Sequence, residues 1–373
     1  MENSDTKARL IAFYLPQFHP ITENDQWWGK GFTEWTNVAK ARPLFSGHCQ
    51  PNVPADLGFY DLRVPETRIA QAEMAQAYGV EGFCYWHYWF AGKRLLERPF
   101  NEVLKSGSPN YPFCLAWANQ TWTGIWHGAP NRILIEQTYP GKDDYEAHFH
   151  ALVDAFTDER YIKVDSKPMF IVYNPYELPD PKRFTDLWRE LAVKAGLKGL
   201  YFIGQLDNRP WSPEQNGFDA AFTDVVSIIK RKMNGYYNGF AGYTCLMTKK
   251  VMNRIRSRIP IDALSRATTY SYADVVKVAL PELNSAFDHY PCVIPNWDNT
   301  PRSGTNGLVF QNATPELFKQ HLQTAVGQVA HKAHEKRLVF IKSWNEWAEG
   351  NYLEPDLKFG KAYLKAVKSV NIL

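Results

Sequence analysis

The sequence predicts a single (β/α)8 TIM barrel, an α/β fold with elaborated βα loops, and three observations carry that prediction. Eight short apolar, β-branched or aromatic runs recur along the 373-residue chain. Stretches with a helical period lie between most of them. Polar and aromatic residues gather where the runs end, which is where barrel enzymes hold their chemistry.

Taken in order, residues 10–14 form the first run and lead into Tyr14, Gln17 and His19. Residues 82–88 (GFCYWHY) carry Trp86 and His87. Residues 113–118 follow Pro112 and carry Trp117, with Asn119 and Trp122 just beyond. Residues 169–173 follow Pro168 and end in Tyr173, and residues 200–204 lead to Gln205 and Asp207. Residues 220–225 contain Asp224, residues 293–297 lead to Asp298, and residues 338–344 end in Trp344 and Asn345. Runs of this length and continuous apolarity suit parallel strands buried on both faces. Helical patterns occupy 65–78, 95–105, 143–155, 181–195, 315–333 and 359–367; the first starts with Pro65 and Glu66 and stops at Gly79. A doubly wound sheet is the structural alternative, but no GxGxxG follows the first strand. No internal repeat or linker divides the chain.

Composition removes other classes. With 45% hydrophobic residues and a net charge of +3, the chain is not disordered. Its 23 Gly and 24 Pro are too few for collagen, and no apolar run approaches a membrane span. The 13 Trp, 20 Tyr and 22 Phe predict a concave, ring-lined surface in addition to a core. Five scattered cysteines (Cys49, Cys84, Cys114, Cys245 and Cys292) fit neither a disulfide framework nor a zinc site and are expected as buried free thiols. The opening residues MENSDTKAR hold no signal-peptide core, so a cytoplasmic location is expected.

An insertion around 226–290 follows the sixth run. Its first part, 226–261, holds eight basic residues and no acidic one, leaving 34 basic and 39 acidic residues elsewhere. It reads either as a solvated excursion or as a dock for an anionic glycan, a lipid-diphosphate glycan or a membrane surface. No motif indicates nucleic acid.

The sharpest feature is Asn345-Glu346-Trp347-Ala348-Glu349-Gly350. Two carboxylates three residues apart share one side of a turn. Mutual repulsion and neighbouring indoles would push their pKa values apart, one kept as acid and the other as base. Glycosidases divide labour in this way. The alternative is an exposed helix start. No HExxH pattern, GxSxG elbow or phosphate loop appears, so no metal or cofactor is expected.

Several motifs together resemble the WbsX-type domain, which is related to glycoside hydrolase family 99. They are Tyr14-Leu-Pro-Gln-Phe-His-Pro-Ile21, Asn24-Asp-Gln-Trp-Trp-Gly-Lys-Gly-Phe-Thr-Glu-Trp-Thr-Asn-Val38, Gly82-Phe-Cys-Tyr-Trp-His-Tyr-Trp-Phe90, Trp297-Asp-Asn-Thr-Pro-Arg302 and Trp344-Asn-Glu-Trp-Ala-Glu-Gly350. The resemblance implies a glycan-active barrel. It implies Glu346 as the base that takes a proton from a sugar 2-hydroxyl, and Glu349 as the acid/base at the leaving oxygen, through an anhydro-sugar intermediate. Family 99 proper has His where this chain has Ala348, so mannose is not implied. Trp28, Trp35, Trp86, Trp117 and Trp122 are the expected stacking platforms, with core packing as their alternative. Tyr14, Gln17, His19, His87, Asn119, Tyr173, Gln205, Asp298, Trp344 and Asn345 complete the expected substrate contacts. Two rivals stay open: a glycosyltransferase or transglycosylase of surface polysaccharide assembly, and a non-catalytic glycan-binding barrel.

Overall fold

The computed structural model describes residues 8–124, 129–207, 209–237, 267–284 and 286–371. Eight parallel strand positions form the barrel wall. They are β1 (Arg9–Tyr14), β2 (Gly82–Phe90), β3 (Phe113–Trp117), β4 (Lys167–Val172), β5 (Tyr201–Leu206), β6 (Ala220–Thr223), β7 and β8 (Leu338–Ile341). The seventh is split at Pro291 into Asp288–Tyr290, which pairs with β6, and Cys292–Val293, which pairs with β8. Proline has no N–H to give a ladder, so the break falls where the chemistry requires it. Pairing of β8 with β1 brings the wall round on itself.

Twelve helices lie among the described residues: α1 (Thr22–Trp28), α2 (Glu34–Lys40), α3 (Pro65–Ala77), α4 (Arg98–Ser106), α5 (Lys142–His150), α6 (Val153–Thr157), α7 (Pro181–Lys194), α8 (Val225–Tyr237), α9 (Tyr272–Ala279), α10 (Thr300–Ser303), α11 (Pro315–Val329) and α12 (Ala362–Asn371). Proline in the first turn of α3, α4, α7, α10 and α11 sets their starts. None of the described helices is long and apolar enough to cross a membrane.

The eight runs expected from sequence fall on the eight wall positions, the seventh overlapping its strand only at Val293, and one expected helix is divided. Strand seven ends at Val293, earlier than the expected 297, because Ile294 and Trp297 give their carbonyls to Tyr272 Oη and the Phe310 amide. Strand eight stops at Ile341, since Trp344 N–H turns to the Phe13 carbonyl at 2.7 Å. The helix expected over 143–155 is two helices, α5 and α6. Cys84, Cys114 and Cys292 are buried and free as expected, whereas Cys49 is exposed. Lys230, Arg231 and Lys232 of the basic stretch lie on α8; its other five basic residues, and Cys245, lie outside the described residues.

Register decides which side chains enter the barrel. Phe13 meets Trp86, Phe222 and Phe340 at ring-centroid distances of 4.8, 5.6 and 5.7 Å, so these four point inward. Alternation then places Tyr88, Tyr173, Gln205 and Lys342 on the same inner side. Their neighbours Tyr14, His87 and Trp117 point outward to the helices.

Gly82 makes a close approach that no other residue allows. A Cβ there would sit 2.5 Å from the Pro112 carbonyl oxygen and 2.8 Å from Ile162 Cδ1. Gly82→Ala is expected to destabilise the barrel by about 1–3 kcal/mol, read by chemical denaturation, with the urea slope unchanged.

Candidate active site

A cleft of about 320 Å³ opens at the C-terminal ends of the strands, with Glu346 and Glu349 in its lining. Its position follows from the fold: inward residues beyond the last ladder bond have nowhere to point but the mouth. Asn345–Glu346 pairs antiparallel with Asn351–Tyr352 across the turn Trp347–Glu349, and Gly350 closes the hairpin at φ +59°. A left-handed φ there favours glycine. The expected turn bearing both carboxylates is thus present, stapled to β1. Leu15 N–H donates to Asn345 Oδ1 at 2.7 Å and Asn345 Nδ2 donates to the Leu15 carbonyl at 3.0 Å.

The two carboxyls are hydrogen-bonded and unlike. Burial, and then the adjacent Glu349, push the pKa of Glu346 well up, which favours its protonated form. Burial would raise Glu349 too. The Arg302 guanidinium, the hydrogen bond from Glu346 and the Lys342 ammonium outweigh it and hold Glu349 below the usual carboxylate range. Arg302 Nη1 lies 2.6 Å from Glu349 Oε1, and the same guanidinium reaches Glu34 Oε2 at 3.0 Å through Nε and Nη2. Glu34, on α2, is fully buried and also takes Asn37 Nδ2 at 3.4 Å. Lys342 lies 3.3 Å from Asp224 and 5.5 Å from the Trp297 ring. Burial lowers its pKa, but Asp224 reverses the sign, so the ammonium keeps its charge.

Rings wall the cleft. Trp86 and Tyr173 meet edge to face at 5.6 Å, and Tyr88 and Trp122 at 5.0 Å. Trp122 and Thr123 stand on a hairpin of Trp122–Gly124 with Ala129–Ile135, which places Leu134 beside them. Burial pushes the Tyr173 phenol up to about 12 and raises Tyr88 as well, so both remain hydroxyl donors.

Of the expected contacts, Gln17, Trp28, Trp86, Trp122 and Tyr173 line this cleft with the two glutamates. The others do not. Tyr14 donates to Gln71 on α3 at 2.7 Å, and His87 meets His148 on α5 at 2.8 Å; both sit on the outward phase of their strands. Trp117 is outward too, fully buried against His148 and Phe184. His19 is buried with Nδ1 2.8 Å from the Pro16 carbonyl. Trp35 donates to the Tyr60 carbonyl and packs on Trp347. Asn119 ties two loops together, bonding Tyr139 Oη and both backbone groups of Asn174. Gln205 is buried inside the barrel without reaching the cleft lining. Trp344 is fully buried and Asn345 is spent on Leu15. Asp298 belongs to a second cavity. Strand phase turns Tyr14, His87 and Trp117 away from the cleft, whereas His19, Trp35, Asn119, Trp344 and Asn345 are taken up by loop and core contacts.

Sequence reasoning missed Tyr88, Trp297, Arg302, Lys342 and, behind them, Glu34. Counting in twos from Trp86 reaches Tyr88, and from Phe340 reaches Lys342. Arg302 closes the motif Trp297–Arg302 but shows its role only once α2 is brought alongside.

A (β/α)8 barrel with two unlike carboxyls in a ring-walled cleft is an arrangement that glycosidases use. The chain belongs to the WbsX family: the family model described as Glycosyltransferase WbsX matches residues 10–367. It is 38% identical over 371 residues to the uncharacterized protein WxcX of Xanthomonas campestris pv. campestris. That match covers 97% of this chain and 49% of the relative, so the chain spans about half the length of the curated relatives it matches. Two solved structures share the fold. A glycoside hydrolase-like protein superposes with TM-score 0.59 at 14% identity, covering 98% of this chain and 94% of its own. The GH99 endo-alpha-mannosidase from Bacteroides thetaiotaomicron superposes with TM-score 0.55 at 16% identity, covering 97% and 95%.

Beneath the turn, Glu354 accepts Trp347 Nε1 at 2.6 Å, Gln71 Nε2 at 2.6 Å and Tyr60 Oη at 2.8 Å. Burial raises its pKa to about 7 against these bonds. An acid with a raised folded pKa favours folding at low pH and loses that advantage as pH rises through the folded value. Stability is expected to fall by roughly 3 kcal/mol between pH 4.5 and pH 7 from this group, and Glu354→Gln to remove that part of the slope in denaturation at stepped pH.

Proposed function

We propose that this protein is a retaining glycoside hydrolase, endo-acting on a bacterial polysaccharide or its precursor, with Glu346 and Glu349 as its catalytic pair. The observation that carries the reading is two adjacent glutamates in the lining of a ring-walled cleft, the Glu349 carboxylate paired with Arg302 at 2.6 Å and their pKa values pushed in opposite directions. Double protonation would leave no base, and double ionisation would leave no acid.

In the empty cleft the proton sits on Glu346. When a sugar enters, its 2-hydroxyl approaches Glu346, and the proton crosses the existing hydrogen bond to Glu349. Glu346, now a carboxylate, takes the 2-hydroxyl proton. The 2-oxygen attacks its own anomeric carbon, the glycosidic C–O bond breaks, and the leaving oxygen takes the proton from Glu349. In the second half Glu349 takes a proton from water, the water oxygen attacks the anomeric carbon, and the anhydro bond opens. The released 2-oxygen recovers its proton from Glu346. Two inversions at one carbon give retention. Tyr88 and Tyr173 donate to sugar hydroxyls, while Trp28, Trp86 and Trp122 offer faces to the ring. Arg302 keeps Glu349 acidic enough to be deprotonated again after each transfer.

Glycosyl transfer is the second reading, and the family description Glycosyltransferase WbsX favours it. The two share the first half-reaction and differ in whether water or a sugar hydroxyl accepts the glycosyl group.

Surface polysaccharides incubated with the protein, with and without UDP-sugars, are expected to be cleaved without a nucleotide donor. Glu346→Gln and Glu349→Gln should each lower the rate by at least about 10³-fold, the scale on which catalytic groups count. Transfer from a UDP-sugar that survives both substitutions would overturn the mechanism. The pH profile of kcat/KM is expected to be a bell, with its acid limb from the lowered Glu349 and its alkaline limb from the raised Glu346.

A further inference from the structure

A second cavity of about 330 Å³ lies behind the catalytic turn, and its lining shares no residue with the cleft. Two short segments make the partition. Trp297 and Glu349 face the cleft, whereas their chain neighbours Asp298 and Gly350 face the second cavity. The volume is at the small end of the roughly 300–1,000 Å³ range of small-molecule sites.

We infer that this cavity is a second carbohydrate site, holding a neutral sugar unit apart from the cleft. Four side-chain amides line it, from Asn52, Asn296, Gln311 and Asn312. Each amide carries both donors and an acceptor, which is what a hydroxyl needs, since it gives and takes at once. The half-buried rings of Phe45 and Phe359 add apolar surface for the C–H face of a sugar.

Charge argues against other ligands. Lys358 is the one Lys or Arg in the lining among the described residues, its Nζ lies 4.8 Å over the Phe359 ring, and the carboxylates Asp298 and Asp356 line the same cavity, so an anionic ligand meets more negative than positive charge there. Asp298 is not free to take a cation. One oxygen takes His48 Nε2 at 2.7 Å and Gln50 Nε2 at 2.6 Å, and the other takes the Thr300 hydroxyl at 2.6 Å and its amide at 3.0 Å. Leu44 N–H donates to His48 Nδ1, so His48 donates to Asp298 through Nε2. No group of three metal-ligating side chains occurs among the described residues.

The partition also joins the two sites. Asp298 N–H donates to the Glu349 carbonyl at 2.6 Å, and a Cβ on Gly350 would come within 2.9 Å of Asp298 Cβ. An occupant pressing on Asp298 is therefore one hydrogen bond from the backbone that carries Glu349.

Cys49, exposed in the lining, supplies a readout that does not involve catalysis. Alkylation of Cys49 by N-ethylmaleimide, followed by mass spectrometry of its peptide, is run with D-glucose, D-galactose, D-mannose and N-acetyl-D-glucosamine as probes. At least one sugar, at ten times its Kd, is expected to slow labelling about tenfold. That protection should persist in Glu346→Gln/Glu349→Gln, where the proposed hydrolysis is disabled, and vanish in Asn52→Ala/Gln311→Ala. Calorimetric titration of the same sugars into both variants reads the binding event independently of the thiol. Absence of protection and of binding heat with all four sugars would overturn the inference. So would protection or heat that survives Asn52→Ala/Gln311→Ala, or that disappears in Glu346→Gln/Glu349→Gln.

Discussion

The site depends on one buried cation held between two acids. Arg302 is hydrogen-bonded to Glu34 from one side and paired with Glu349 from the other, and none of the three is near the others in sequence. Burial acts alike on Glu346 and Glu349, and by itself would leave two similar neutral acids. The guanidinium breaks that likeness because it pairs with Glu349 at 2.6 Å and leads the influences that lower it, whereas on Glu346 burial and the adjacent Glu349 outweigh its pull. Glu34 fixes where the guanidinium sits, and α2 fixes where Glu34 sits. Helix α2 has therefore to be in place for the chemistry far along the chain to be asymmetric. A buried charge of this kind is a poor device for stability and a good one for specifying geometry.

The support continues below the turn. The catalytic hairpin hangs from β1 through Asn345 and Leu15, and from the helix side through Trp347 and Glu354. Glu354 in turn gathers Tyr60 and Gln71, and Gln71 takes Tyr14. Tyr14 is thus three contacts from Trp347 without ever facing the cleft. The aromatic wealth of the sequence divides the same way. Trp28, Trp86, Trp122 and Trp297 wall the cleft, while Trp117, Trp188, Trp344 and Trp347 are core.

Much of the barrel was legible because its strands are continuous apolar runs separated by helical periods, a pattern that only a wall covered on both faces needs. The catalytic turn was legible because two carboxylates, two indoles and a glycine fall within seven residues. What could not be read was phase. In Gly82–Phe90 every residue is buried, so burial leaves no mark of which side chains face inward. Trp86 and His87 are adjacent and equally polar-aromatic in type, yet one walls the cleft and the other packs against α5. A strand with one wet face would have announced its phase by alternation. Arg302 and Glu34, 268 residues apart, are a partnership of tertiary structure, invisible to spacing.

The broken seventh strand gives the barrel a seam. Elsewhere each wall strand is laddered to both neighbours along one continuous segment, so a change of length on either side is felt as a shift of register. At Pro291 the two halves answer to different neighbours, the first to β6 and the second to β8. The long connection between β6 and β7 enters the wall beside that seam. The half-strand it reaches first, Asp288–Tyr290, is laddered to β6, while Cys292–Val293 shares the closure through β8 to β1. The seam therefore uncouples the ladder of β6 from the ladder of β8, and with it from the end of the wall that carries Asn345 and Glu346.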